Sequence, residues 1–70
     1  MNLILTTHAK KRMIERNIKI REIQESIDIP DYTISKNGKI EAYKKINNKI
    51  LKIVYLKQDR FIKVITVIEK

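Results

Sequence analysis

Cysteine and tryptophan are absent from this chain, and a single histidine, phenylalanine, glycine and proline occur among its 70 residues. Without cysteine, and with His8 alone, there is neither a disulfide nor a Cys/His cluster to hold a structural or catalytic zinc. Carboxylates are scarce as well: 8 Asp and Glu stand against 16 Lys and Arg, for a net charge of +8. Nothing resembles the dense acidic loop of a calcium or magnesium site, so no metal or other cofactor is expected. No apolar run approaches the roughly 18 residues that span a bilayer. The opening M-N-L-I-L-T-T-H has no charged n-region and no small-residue cleavage site, and a cytoplasmic protein without a membrane role is expected.

A chain of 70 residues makes one domain, spanning residues 1–70, close to the lower size at which an apolar core suffices without staples. It leaves no room for a deep cavity, so any site should be an open groove of surface side chains. The one-sided charge favours an anionic partner such as nucleic acid or an acidic protein. A Lys-, Glu- and Ile-rich composition also suits a heat-adapted or AT-biased source, in which many lysines are simply solvated.

Along the chain, Leu3–Leu5 is too short to classify by period and reads as an edge strand or extended arm. Thr6 or Thr7 is then the N-cap of a first helix from about His8 to Arg16, and Asn17 suits the left-handed position just past its end. Ile18–Ile29 changes phase: Ile20, Ile23 and Ile27 share one stripe while Arg21, Glu22 and Glu25 point away, and Pro30 ends this second helix. Everything after Asp31 reads as strand. Tyr32–Ser35 is extended, Lys36-Asn37-Gly38 is a hairpin turn, and Ile40, Ala42 and Ile46 alternate with Glu41, Tyr43 and Lys45. Asn47-Asn48 turns again, and Ile50–Leu56 and Phe61–Ile68 are strands apolar on nearly every position, separated by Gln58-Asp59-Arg60.

The expected fold is α+β: a short N-terminal strand or arm, then a two-helix hairpin on one face of a four-stranded antiparallel meander. Strands apolar on both sides need cover on both faces, and the helices supply only one. The uncovered face would be a groove, a homodimer contact or a docking site.

His8 to Ile18 is the chemically suggestive stretch. At 100° per residue, Ala9 and Met13 form a small apolar stripe bordered by Arg12 and Arg16, with His8 and Glu15 just beyond. Arginine beside an apolar stripe is either partly buried or lines a cleft. Arg12 and Arg16, four residues apart, repel unless an anion lies between them.

The segment Thr7-His8-Ala9-x-x-Arg12-Met13-x-Glu15-Arg16-x-Ile18, with Glu22, Ile27 and Pro30 after it and a closing Val64-Ile65-Thr66-Val67, resembles a bacterial and archaeal family of small domains of unknown function over nearly the whole chain. One departure is Asn17, where that family often has glycine. The order of elements also resembles the RelE/ParE toxin superfamily and, more widely, the barnase/EndoU/colicin/RelE group of metal-independent ribonucleases. The resemblance implies RNA, free or on the ribosome, as substrate and an acidic protein as inhibitor. It implies attack of the ribose 2′-hydroxyl on the adjacent phosphate, with His8 transferring protons and Arg12 and Arg16 gripping the phosphate. Tyr43, Tyr55 or Thr66 would orient or protonate from the sheet, and Lys11, Lys44, Lys45, Lys52 and Lys63 would draw the RNA backbone in.

Each residue also has a plainer role. His8 can cap the helix, Arg12 and Arg16 can pair with Glu15, Glu22 or Glu25, and Tyr43 and Tyr55 can pack across strands. Thr66 is an ordinary strand residue, and the lysines can form a solvated face. Two other classes of function therefore stand beside the enzyme: a nucleic-acid-binding module that survives loss of His8, and a protein-interaction module working through the uncovered sheet face.

Overall fold

The computed structural model describes residues 2–70. Its elements run β1 (Asn2–Leu5), α1 (Thr7–Glu15), α2 (Ile20–Asp28), β2 (Tyr32–Lys36), β3 (Lys39–Ile46), β4 (Lys49–Lys57) and β5 (Phe61–Glu69). The α+β class holds, but the sheet has five strands and is mixed, in the order β1-β5-β4-β3-β2. β2 to β5 form the expected antiparallel meander. β1 joins as a fifth strand, parallel to β5, with Leu3 opposite Ile62 and Leu5 opposite Val64. Four residues cannot display a two-residue period convincingly, and the partner of β1 lies at the far end of the sequence.

Turn chemistry sets the meander. Asn37 and Gly38 have φ of 52° and 77°, and Asn47 and Asn48 have φ of 51° and 67°. Two successive positive φ values define the two-residue turn whose twist matches paired strands. Along β3 to β5, Ala42, Leu51, Ile53, Tyr55, Val64 and Val67 face the helices and form the core with Ala9, Ile18, Ile23 and Ile27. Fully burying each large aliphatic side chain is worth about 1.5–3 kcal/mol. α1 packs on β5 and β1, and α2 on β3 and β4.

The hairpin between the helices corrects two expectations. Arg16 ends α1 with its N–H donating to the Arg12 carbonyl; Asn17 follows at φ 53° with its N–H on Ile14, and the N–H of Ile18 reaches the Met13 carbonyl at 2.9 Å. This Schellman closure folds Ile18 inward over Met13. Ile18 therefore takes the core position, and Ile20, expected on the apolar stripe, is 49% exposed. Glu22, expected to point away, is only 8% exposed. Its Oε1 accepts the Lys19 backbone N–H at 2.8 Å and lies 3.7 Å from Lys49 Nζ, so the carboxylate satisfies a free donor at the start of α2.

At the other end of α1, Thr6 is the N-cap. Its hydroxyl accepts from Ala9 N–H at 3.1 Å and donates to the Ile65 carbonyl at 2.9 Å, while its own N–H donates to the Val64 carbonyl. One residue thus fastens β1, α1 and β5 together. Ile65 sits in a bulge, because Tyr55 pairs with Val64 while Val54 pairs with Thr66.

Candidate nucleic-acid interface

Helix α1 is built to lie flat on the edge of the sheet. Ala9 is fully buried beneath it and Met13 packs against the core. His8, Lys10, Lys11, Glu15 and Arg16 remain exposed, and Arg12, bordering the apolar stripe, is half-buried. No carboxylate lies in the first turn of α1. Residues four apart rise about 6 Å along a helix and turn by only about 40°, so His8, Arg12 and Arg16 follow one ridge.

Among the described residues the ion pairs are Lys44–Asp31 at 3.5 Å, Lys49–Glu22 at 3.7 Å and Lys52–Glu41 at 3.7 Å. None involves α1. Pairing of Arg12 and Arg16 with Glu15, Glu22 or Glu25 is not found, and Glu22 is taken by Lys19 and Lys49. Lys10, Lys11 and Arg16 face solvent, Arg12 is half-buried, and none has a carboxylate within ion-pairing distance among the described residues.

The remaining expected site residues do not converge on this ridge. Tyr55 faces the helices inside the core. Burial, and secondarily the Asp28 carboxylate, push its hydroxyl above the ordinary value of 10.0. Thr66 opposes Val54 on the other face of the sheet, so Tyr55 and Thr66 point to opposite sides. The Thr6–Ile65 hydrogen bond does bring the first turn of α1, which carries His8, to the bulge that precedes Thr66. Lys44 is engaged by Asp31, Lys45 donates its backbone N–H to the same carboxylate, and Lys52 is held by Glu41. Lys63 is exposed on the uncovered face, opposite Ile4, and Lys11 is exposed on α1.

A groove of about 390 Å³ lies between α2 and the end of β3, lined by Arg21, Glu22, Glu25, Lys45, Ile46 and Asn47. Its two carboxylates and two cations balance, and it is not part of the α1 ridge. Among the described residues no three His, Asp or Glu side chains cluster as metal ligands, and no helix is long and apolar enough to cross a membrane.

The uncovered face holds an arrangement beyond the expected one. Tyr43 was expected on a wet face, yet it is 8% exposed. Tyr32, its partner across the β2–β3 ladder, stacks on it with ring centroids 4.6 Å apart and planes 11° from parallel. The Lys52 and Lys70 ammonium groups lie 5.8 and 5.7 Å from the Tyr43 ring centre. The two-residue turn at Asn37-Gly38 carries the signal: it pairs Lys36 with Lys39 and, counted back along both strands, Tyr32 with Tyr43.

Fold and ridge together define a small, strongly basic α+β domain with a cation-bearing helix on one layer and an open sheet face on the other. Residues 5–69 match the family model described as Domain of unknown function (DUF4258), and the chain belongs to that family. No curated protein and no solved structure gives a significant match.

Proposed function

We propose that this domain binds RNA through α1 and cleaves it without a metal ion, as a RelE-like, toxin-type endoribonuclease. The observation that carries this reading is the ridge of His8, Arg12 and Arg16, whose arginines have no carboxylate partner while the domain's ion pairs lie elsewhere. Two unpaired arginines one helical turn apart, with backbones about 6 Å apart along the axis, suit the oxygens of a phosphodiester. In the reaction, the ribose 2′-oxygen attacks phosphorus and the bond from phosphorus to the 5′-oxygen breaks. The products are a 2′,3′-cyclic phosphate and a 5′-hydroxyl. His8 takes the 2′ proton and, as imidazolium, returns one to the departing 5′-oxygen, while Arg12 and Arg16 hold the charge that builds on the phosphate. Thr66 follows the bulge that Thr6 grips but faces away from α1, so it lies outside this mechanism. Tyr55, whose ring packs in the core on the helix side of the sheet, has no part in it. Lys11 and Lys63 add to the field that draws RNA in, on the ribosome or free, and an acidic protein is the matching inhibitor.

The test is cleavage of a mixed-sequence RNA in EDTA, with binding measured at two salt concentrations. His8→Ala should lower cleavage by at least about 100-fold with affinity kept. Arg12→Ala should weaken binding and reduce the salt slope by about one. Cleavage by His8→Ala at the parent rate would overturn the catalytic assignment. Because Tyr55 and Thr66 diverge, His8 is the one proton-transfer group on the ridge, and this favours as second reading a nucleic-acid-binding module without catalysis. Its signature is RNA binding that needs Arg12 but not His8, with no cleavage by the parent.

A further inference from the structure

We infer that the uncovered sheet face carries a base-stacking platform for single-stranded RNA, built on the Tyr32–Tyr43 pair and served by the lysines around it. This rests on the reading of RNA as partner, but it concerns a different surface. α1 packs on β5 and β1, whereas the platform spans β2 and β3, at the other end of the sheet and on its other face.

Tyr43 is covered although no helix lies on its side: Tyr32 stacks on its ring, and two ammonium groups lie within 6 Å of its centre. Tyr32 stacks on Tyr43 through one ring face and is 56% exposed, on a strand with nothing beyond it in the sheet. A planar base laid on the free face of Tyr32 would lengthen an existing stack. Ile34, two residues along the same strand and exposed, offers a ledge for the sugar.

Charge identifies the occupant. By strand alternation and ring contact, Lys36, Lys39, Lys52, Lys63 and Lys70 share this face with one carboxylate among the described strand residues, Glu41. Glu41 is already held by Lys52 at 3.7 Å and by the Tyr43 hydroxyl at 3.3 Å. An aromatic surface ringed by cations fits a strand that brings bases and phosphates together. A second copy of this chain, at net +8, would be repelled. Duplex RNA keeps its bases stacked on each other and cannot present one to Tyr32, so the strand must be single.

The experiment is fluorescence anisotropy with a labelled oligouridylate and a labelled RNA duplex, on the parent, Tyr32→Ala, Tyr32→Phe and Arg12→Ala. Tyr32→Ala should weaken oligouridylate binding about tenfold, leave the duplex within about twofold and keep the salt slope of the parent, since no cation is lost. Tyr32→Phe retains the ring and should bind like the parent. If thermal melting shows Tyr32→Ala misfolded, Tyr32→Leu gives the same reading, with apolar bulk but no π-face. Oligouridylate binding that is unchanged in Tyr32→Ala but weakened in Arg12→Ala overturns the platform and leaves RNA as partner. Failure of the parent to bind either RNA at low salt overturns both. Polyglutamate that binds the parent and is lost in Tyr32→Ala, with RNA binding untouched, assigns the face to an acidic protein and overturns the platform.

Discussion

Replacing Thr6 by alanine removes two hydrogen bonds through one atom. The hydroxyl caps α1 by accepting from Ala9 N–H and, as a donor, satisfies the carbonyl of Ile65 at the bulge. Loss of an N-cap threonine costs about 1 kcal/mol, and leaving the half-buried Ile65 carbonyl without this donor costs about 1 kcal/mol more. The sum of about 2 kcal/mol is large for a domain whose total stability should be roughly 3.5–10 kcal/mol at this length. It corresponds to a fall in Tm of about 8–16 °C, since each kcal/mol shifts a domain of this size by about 4–8 °C. Urea unfolding followed by far-ultraviolet circular dichroism reads the free energy, and a thermal scan reads the Tm. Thr6→Ser keeps the hydroxyl and should stay within about 0.5 kcal/mol of the parent. A Thr6→Ala protein equally close to the parent, or a serine variant as weak as alanine, would refute the dual role of this hydroxyl.

Other perturbations test other parts of the structure. Asn17 sits at φ 53° in the Schellman closure, so Asn17→Gly should stabilise by about 0.5 kcal/mol and Asn17→Ala should destabilise by about 1 kcal/mol in urea unfolding; the reverse order would refute the assignment of this turn. Tyr55 is held above its ordinary value of 10.0 by burial and by Asp28, so the unfolded chain gives up this proton at a lower pH than the folded one. Its contribution is fully present below the unfolded value and is lost as pH rises through the folded one. The urea midpoint of the parent should therefore fall more steeply above about pH 10 than that of Tyr55→Phe, and parallel curves would contradict the raised value of this phenol. On the functional side, cleavage lost in His8→Ala with binding retained is the outcome expected from the ridge.

Much of this fold is legible in local chemistry. Thr6 ahead of α1, Asn17 behind it, Pro30 after α2 and the two asparagine-led turns each fix a boundary through one residue type with one backbone preference. What fails to show is set by distant or irregular geometry. The pairing of β1 depends on β5, some 59 residues away in the Thr6–Ile65 contact. Ile18 displaces Ile20 because a left-handed residue, and not the helical wheel, aims it. Glu22 turns inward because a helix start offers free N–H groups. The candidate site divides in the same way. The ridge of His8, Arg12 and Arg16 follows from periodicity alone. Strict alternation from Val64 would set Thr66 on the helix side with Tyr55, and the extra residue at Ile65 moves it to the other face. The Tyr32–Tyr43 stack needs two facts at once, the turn type and the count along both strands.

The parallel pairing of β1 with β5 also sets an order of events. The hairpins from β2 to β5 close loops of a few residues, whereas docking β1 closes one of about 59 residues, an entropic cost of about 3–4 kcal/mol on a chain-closure scale. The meander therefore has the means to assemble first, with β1 and the start of α1 arriving last and, at equilibrium, leaving first. Amide exchange in β1 should outpace that in β4, and equal protection would show that the domain opens only as a whole. On this account the ridge that carries His8 exists only while the last-formed contact holds. Thr6 then acts as the latch on which the candidate interface depends.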